Sequence, residues 1–291
     1  MPEPRIVACI VTHNRRELLR ECLTQLKAQT RPLDEIVVID NGSEDGTGAM
    51  LTEEFPDVDV ISYPDNRGAS HGFSRGVTLA LERDFDWLWL IDDDGIARPD
   101  ALAELLAALE ELDDTPALLC SRVEWLDGMP HTMNFPVMAR ERDKPVVADL
   151  RDGVVPIRAA TYVSLLLSRS AMESTHPPLA KFFYQTDDIE YTARLLRDRP
   201  GYYVARSVVL HKTPRQHTAI SDDRRFYYHA RNTLLMLRSR GWRPREKPRL
   251  VWWVTRTSYK YLRINHLRPH SIRTWLSALA AGARGKGGPR A

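Results

Sequence analysis

The sequence predicts an α/β fold, a mostly parallel sheet with helices on both faces, and three observations carry that expectation. Short β-branched runs alternate with stretches of helical spacing over the first 112 residues. Several of these runs end in polar or acidic residues, namely Thr12, Asp40 and Asp92 to Asp94. Ligands of parallel α/β sheets collect at such carboxyl ends. The chain of 291 residues is 43% hydrophobic and 27% charged, enough to bury a sizeable core in one or two domains.

The elements follow in order. Arg5 to Thr12 (RIVACIVT) reads as a buried strand. Arg15 to Ala28 places Leu18, Leu19, Cys22, Leu23 and Leu26 on one helical face. Glu35 to Asp40 (EIVVID) is a second strand, and Asn41-Gly42-Ser43 then turns the chain. A helix is expected from Asp45 to Phe55, a strand from Val58 to Tyr63 and a helix from Gly68 to Arg83. Trp87 to Ile91 (WLWLI) is a fourth strand that runs straight into Asp92-Asp93-Asp94-Gly95. Pro99 to Leu112 is helical, with Pro99 near its first turn. Residues 115–180 are less regular, although Ala159 to Ser168 reads as one core strand. A helix follows Asp187-Asp188 to Leu196, and Gly201 to His211 is a strand ending in histidine. Helices are expected over FYYHARNTLLMLRSRG, over Leu250 to Leu262 and over Ile272 to Ala281. The closing GARGKGGPRA is expected to be a flexible tail.

The composition excludes a disordered, collagenous or polytopic membrane protein. The net charge of +2 hides a split. Residues 226–291 carry fifteen Lys and Arg against a single acid, Glu246, whereas residues 1–225 are net acidic. We therefore expect a catalytic domain over 1–225 and a basic helical region over 226–291 that faces something anionic. Cys9, Cys22 and Cys120 have neither metal-like spacing nor an even count, which argues for a reducing compartment. The apolar stretch at the N-terminus is short for a secretion signal, and no window approaches the roughly 18 apolar residues that span a bilayer. The expected location is cytoplasmic, with contact at the inner face of the plasma membrane.

Asp92-Asp93-Asp94 is the sharpest chemical feature. Adjacent carboxylates repel, so the cluster wants a cation or full solvation. On an extended backbone Asp92 and Asp94 point the same way. Such a pair of hard oxygens suits Mg²⁺ or Mn²⁺, which commonly share their shell with substrate phosphates. A solvated acidic turn before the next helix is the plainer alternative. His211 ends a strand and can add a nitrogen ligand, which favours Mn²⁺. His13, His71 and His217 carry no distinguishing signal. Asp187, Asp188 and Glu190 open a helix, where the dipole favours acids by about 0.3–1 kcal/mol each. A carboxylate there, in a partly dry pocket, can also take the proton of an attacking hydroxyl. Asn66 to Gly76 (NRGASHGFSRG) spaces three glycines four apart but is neither a P-loop nor GxGxxG. Arg67 and Arg75 either meet phosphate there or are simply solvated.

Together these pieces resemble the family 2 glycosyltransferases of the GT-A fold. The likeness rests on Thr12-His13-Asn14-Arg15, Leu26 to Thr30, Ile36 to Asp40 with Asn41-Gly42-Ser43 and Gly46-Thr47, Asn66-Arg67-Gly68, the three aspartates, Asp187-Asp188 and His211, and it covers residues 4–235. DWLWLIDDDG, FFYQTDDIEYTARL and FYYHARN are most similar to bacterial galactofuranosyl- and rhamnosyltransferases, in particular those that build actinobacterial cell-wall galactan. Ala69 and His71 stand where relatives often have glycine, and Thr186 replaces the aromatic or glycine that often precedes the acidic pair.

The resemblance implies a metal-dependent, inverting transfer of a sugar from a nucleotide-diphosphate donor, UDP-galactofuranose or dTDP-rhamnose. The acceptor would be a hydroxyl of a cell-envelope glycan or of a polyprenyl-linked lipid. It implies that Thr12 and Asp40 lie at the nucleotide, with Arg67 a candidate for its phosphates, and that Asp93 meets the donor sugar. Asp92, Asp94 and His211 would hold Mn or Mg, Asp188 would be the general base, and Asp187 and Glu190 would orient the base or the acceptor. Trp252, Trp253, Tyr259, Tyr261 and Trp275, interleaved with Arg256, Lys260, Arg263 and Arg273, suit an anionic membrane surface. They suit equally a basic helix packed on an acidic body. Two rivals remain at this point, a metal-dependent nucleotidyltransferase or phosphohydrolase and a nonenzymatic RNA-binding protein. Neither explains both acidic clusters, and nucleic acid is not an expected partner.

Overall fold

The computed structural model describes residues 3–139, 150–214, 220 and 222–290. His217 lies outside the described residues.

Strands β1 (Ile6–Thr12), β2 (Glu35–Asp40), β3 (Asp59–Ser62) and β4 (Trp87–Asp92) form a parallel half-sheet in the order β3-β2-β1-β4. Strict alternation splits β1 between the two faces. Ile6, Ala8 and Ile10 pack with Leu19, Leu23 and Leu26 of helix α1 (Arg16–Lys27) and with Leu102 and Leu105 of α4 (Ala101–Glu110). Val7, Cys9 and Val11 pack the other way, against Phe73, Val77 and Ala80 of α3 (Ala69–Leu81). Helix α2 (Thr47–Glu54) joins the first layer through Met50 and Leu51. The glycines spaced along α3 serve this packing. A Cβ on Gly72 would lie 2.4 Å from Val11 Cγ1, and one on Gly76 would lie 2.6 Å from Cys9 Sγ.

The second half-sheet is mixed. β9 (Ser164–Ser168) lies antiparallel between β4 and β6 (Leu118–Glu124), and β6 runs parallel to β10 (Gly201–His211). β8 (Val154–Ala159) and β7 (Val137–Met138) follow beyond β10. The single strand expected over Ala159 to Ser168 is therefore two strands with different neighbours, and no Gly, Pro, Asn or Asp between them marks the break. A three-residue strand that the sequence does not announce, β5 (Gly95–Ala97), pairs antiparallel with β10 and sets Gly95 opposite His211. Helices α5 (Arg169–Glu173) and α6 (Asp187–Leu195) precede β10.

The C-terminal helices are α7 (Asp223–Met236), α8 (Lys247–Ile264) and α9 (Pro269–Ala283). Helix α7 runs across position 225, starting from Asp222, whose side chain accepts from the Arg225 amide at 2.7 Å. Phe226 stacks on Tyr261 with ring centroids 3.7 Å apart, and Arg158 ties the turn before α8 to the sheet through Glu246. The closing residues are not a free tail. Arg231 is a buried cation that needs acceptors, and the Gly288 carbonyl supplies one at 2.5 Å. The Gly288 amide donates to Lys181 O at 2.7 Å, and the Arg290 amide donates to the Tyr228 hydroxyl at 2.9 Å. Of the aromatics expected at an interface, Tyr261 is buried and Trp253 packs edge-on to His229, whereas Trp252 (62% exposed) and Tyr259 (64%) face outward. Among the described residues no helix is long and apolar enough to cross a membrane.

Candidate active site

The parallel register brings the ends of β1, β2 and β4 into one row. Thr12 pairs with Asp40 across β1 and β2, and Val11 pairs with Asp92 across β1 and β4. The chain then turns through Asp93 and Asp94 into β5, which leaves both side chains buried. Asp93 accepts from Thr12 Oγ1 at 2.8 Å and from Arg15 Nη1 at 2.9 Å. The same Arg15 nitrogen donates to Asp94 Oδ2 at 2.6 Å. Because β5 pairs with β10, His211 arrives beside Asp94, with Nε2 3.0 Å from Oδ1. Ligand atoms of Asp92, Asp94 and His211 lie within 4.8 Å of one another.

These three residues fit a divalent cation. Asn134 Oδ1 lies 2.8 Å from His211 Nδ1, as an acceptor for an Nδ1–H. With its proton there, Nε2 presents a lone pair toward a carboxylate oxygen, a contact that a cation between them relieves. Burial, then the neighbouring Asp94, pushes Asp92 up to about 7. Burial raises Asp93 to about 6 against the pull of Arg15. Burial alone would lower His211, but Asp94 and then Asp92 outweigh it and hold the imidazole above its usual range. Asp92 and Asp93 thus ionise reluctantly, whereas Asp94, against the effect of burial, is held below the usual carboxylate range by His211 and then Arg15.

A cavity of about 1850 Å³ opens beside this cluster. Thr12, His13, Arg15 and Asn41 line one wall, together with the three aspartates and His211. Asp187 and Asp188, in the first turn of α6, line the same cavity. Burial, then Asp187, then Asp92 drive the Asp188 carboxyl well above the ordinary range. Asp187 is pushed up to about 6, chiefly by burial. Buried carboxylates with like charges beside them hold protons more tightly than they would in water, which suits a role in proton transfer. The cavity continues past Tyr184 to Arg224, Arg225, Arg249 and Arg256, with Trp252 and Trp253 beside them. One end is therefore acidic and the other basic and aromatic.

Not every expected residue reaches the cavity. Asp40 lies under its rim, where Oδ1 accepts from the Ser43 amide at 3.0 Å and shapes the turn that presents Asn41. The Arg67 side chain turns away to Asp65 and over the Tyr63 ring, while its backbone amide donates to Asn41 Oδ1. Glu190 is buried against Arg194 at 2.9 Å and Ser239 at 2.5 Å and is not among the residues that line the cavity. His13 lines the cavity, and His71 packs edge-on to Tyr63. Arg15 and Asn134 were not foreseen as partners of the acids and the histidine. Arg15 stood in a motif already noted, but Asn134 lies in an irregular segment that offers no pattern.

Comparisons with known proteins agree with this geometry. Residues 7–144 match the model for Glycosyl transferase family 2. The chain is similar to galactofuranosyltransferase GlfT1 of Mycobacterium tuberculosis H37Rv, at 31% identity over 205 residues. That match covers 66% of this chain and 64% of the relative, so the chain spans a little under two thirds of its length. Two solved structures share the fold. S. aureus TarS 1–349 in complex with UDP-GlcNAc has a TM-score of 0.66 at 14% identity, covering 97% of this chain and 81% of that one. A mannosyltransferase from Pyrobaculum calidifontis in complex with GDP-Man and Mn²⁺ has a TM-score of 0.60 at 19% identity, covering 97% and 76%.

Proposed function

The chain carries a family 2 glycosyltransferase domain on a GT-A fold, and on that premise we propose that it is a metal-dependent, inverting glycosyltransferase that uses a nucleotide-diphosphate sugar. The observation that carries this reading is the meeting of Asp92, Asp94 and His211 on one cavity with Asp188. The likeness to a mycobacterial galactofuranosyltransferase favours UDP-galactofuranose over dTDP-rhamnose as donor.

In this reading Asp92, Asp94 and His211 would hold Mn²⁺ or Mg²⁺. A bound divalent cation supplies Lewis acidity that neutralises the charge growing on the leaving nucleotide. Asn134 fixes the His211 ring so that Nε2 faces Asp94. Arg15 and Thr12 hold Asp93 at the donor end. Asp188 takes the acceptor hydroxyl proton as that oxygen attacks the anomeric carbon from the face opposite the diphosphate. One carboxylate suffices, because inversion needs no covalent intermediate. The raised proton affinity of Asp188 makes its ionised form a stronger base than a solvated aspartate. Asp187, beside it, orients the base, and Asn41 and Thr12 support the nucleotide end.

The acceptor is a hydroxyl of a cell-envelope glycan, and the basic, aromatic end of the cavity suits one carried on a polyprenyl phosphate or diphosphate. The same end lies next to the outward-facing Trp252 and Tyr259, which supports peripheral contact of residues 226–291 with an anionic membrane surface. The test is transfer from UDP-galactofuranose to a lipid-linked glycan, with and without Mn²⁺, read by mass spectrometry. Metal-dependent addition of one hexose is expected. Metal-independent transfer would remove the cation from the reading, and no transfer from either candidate donor would remove the reaction.

A further inference from the structure

The segment that delivers Asp187 and Asp188 is itself held by a residue from another part of the chain. Residues 182–186 lead from the turn at Ala180–Phe182 into α6. Phe183, Gln185 and Thr186 are all left-handed, each at φ +63°, and none is glycine. Conformations of this kind persist only where the surroundings over-determine them, and they gather at functional sites.

The surroundings here are two adjacent side chains of α7. Asn232 Nδ2 reaches three carbonyls of the segment, Tyr184 and Gln185 at 2.8 Å each and Phe182 at 3.2 Å. An amide nitrogen has two hydrogens, so one of these bonds is shared. Arg231 Nη2 donates to Phe182 O at 2.6 Å, while Nη1 donates to Gly288 O at 2.5 Å. Both side chains are buried. From the other side the Ser70 amide donates to Phe183 O at 3.3 Å. Gly68 leaves the room for this approach, since a Cβ there would lie 2.4 Å from the same oxygen. Four consecutive residues of the segment, Phe183 to Thr186, line the cavity between this clamp and the acid pair.

We infer that Asn232, backed by Arg231, is a positioning residue that fixes the backbone from which Asp188 is aimed into the cavity. The inference rests on the transfer reaction proposed above. A purely structural amide would affect only how much protein folds. A positioning amide affects turnover of the folded protein, because a displacement of about 1 Å at a reacting group costs up to 10²-fold. Donor binding, assigned above to Thr12, Asn41 and the Asp92–Asp94 turn, involves none of the residues that Asn232 holds.

The experiment compares Asn232→Ser, Arg231→Lys and Asp188→Asn with the unaltered chain, each normalised to folded protein. For Asn232→Ser we expect turnover to fall about tenfold or more with the donor KM within twofold. Unchanged turnover in Asn232→Ser, alongside loss in Asp188→Asn, would overturn this inference and leave the reaction standing. If Asn232→Ser does not fold, Arg231→Lys decides by the same criterion, since lysine cannot serve the Phe182 and Gly288 carbonyls together in the planar fork of arginine. An unaltered chain that transfers no sugar would instead overturn the functional reading.

Discussion

Replacing Asp188 by asparagine separates the roles of the two acidic clusters. The side chain keeps its shape and loses its charge and its basicity. A positioned base is typically worth 10²–10⁴-fold, or about 3–5 kcal/mol of barrier, so turnover should fall by at least about 10²-fold. The structure adds a second expectation of opposite sign. Burial, Asp187 and Asp92 all raise the Asp188 carboxyl, so its ionised form works against the fold near neutral pH. A carboxylate with a raised folded pKa contributes stability at low pH that is lost as pH rises through that pKa. Asparagine removes this penalty, so the variant should be as stable as the parent at pH 7.5, or more so. Its Mn²⁺-dependent thermal shift should persist, because Asp92, Asp94 and His211 are untouched. The assay is initial rate under saturating donor, beside melting curves with and without Mn²⁺. Turnover within threefold of the parent would refute the base assignment. A lost Mn²⁺ response with intact folding would show that Asp188 belongs to the cation rather than to the acceptor.

Three further outcomes are expected. Asn134→Leu removes the acceptor of the His211 ring, and outer partners of this kind are worth about 10–100-fold in metal affinity, so the Mn²⁺ titration should shift by that much while the fold survives. His229 is buried against Trp253 and its imidazole is pushed down to about 4 by burial. The neutral ring is the folded form, so its stability is full above pH 6.5 and is lost as pH falls toward 4. At about 1.36 kcal/mol per pH unit, the parent should lose about 3 kcal/mol more than His229→Phe across that window in denaturant titrations, and parallel losses would refute the assignment. The double variant Trp252→Ser/Tyr259→Ser should bind anionic vesicles less than the parent in cosedimentation, and equal binding would remove that face from the membrane reading.

The first half of the fold was legible because β1, β2 and β4 are nearly continuous apolar runs and a polar or acidic residue stands at the end of each. Thr12, Asp40 and Asp92 to Asp94 could therefore be placed in one row from the sequence. The second half was not legible for a physical reason in each case. Three residues of β5 are too few for any pattern, yet their pairing with β10 puts His211 beside Asp94. Asn134 sits between short, irregular strands. Arg67 carried the right charge, but its side chain is taken up by Asp65 and the Tyr63 ring. The glycine-rich C-terminus read as loose because nothing in its own composition reveals that Arg231, buried 57 positions earlier, takes the Gly288 carbonyl as an acceptor.

The guanidinium of Arg15, shared between Asp93 and Asp94, gives the acidic turn a permanent counter-ion of its own. A side chain of the protein itself therefore ties the two carboxylates of the turn together. On the metal-dependent reading proposed above, occupancy is then a reversible matter of supply, and a chelator would idle the protein rather than unravel it.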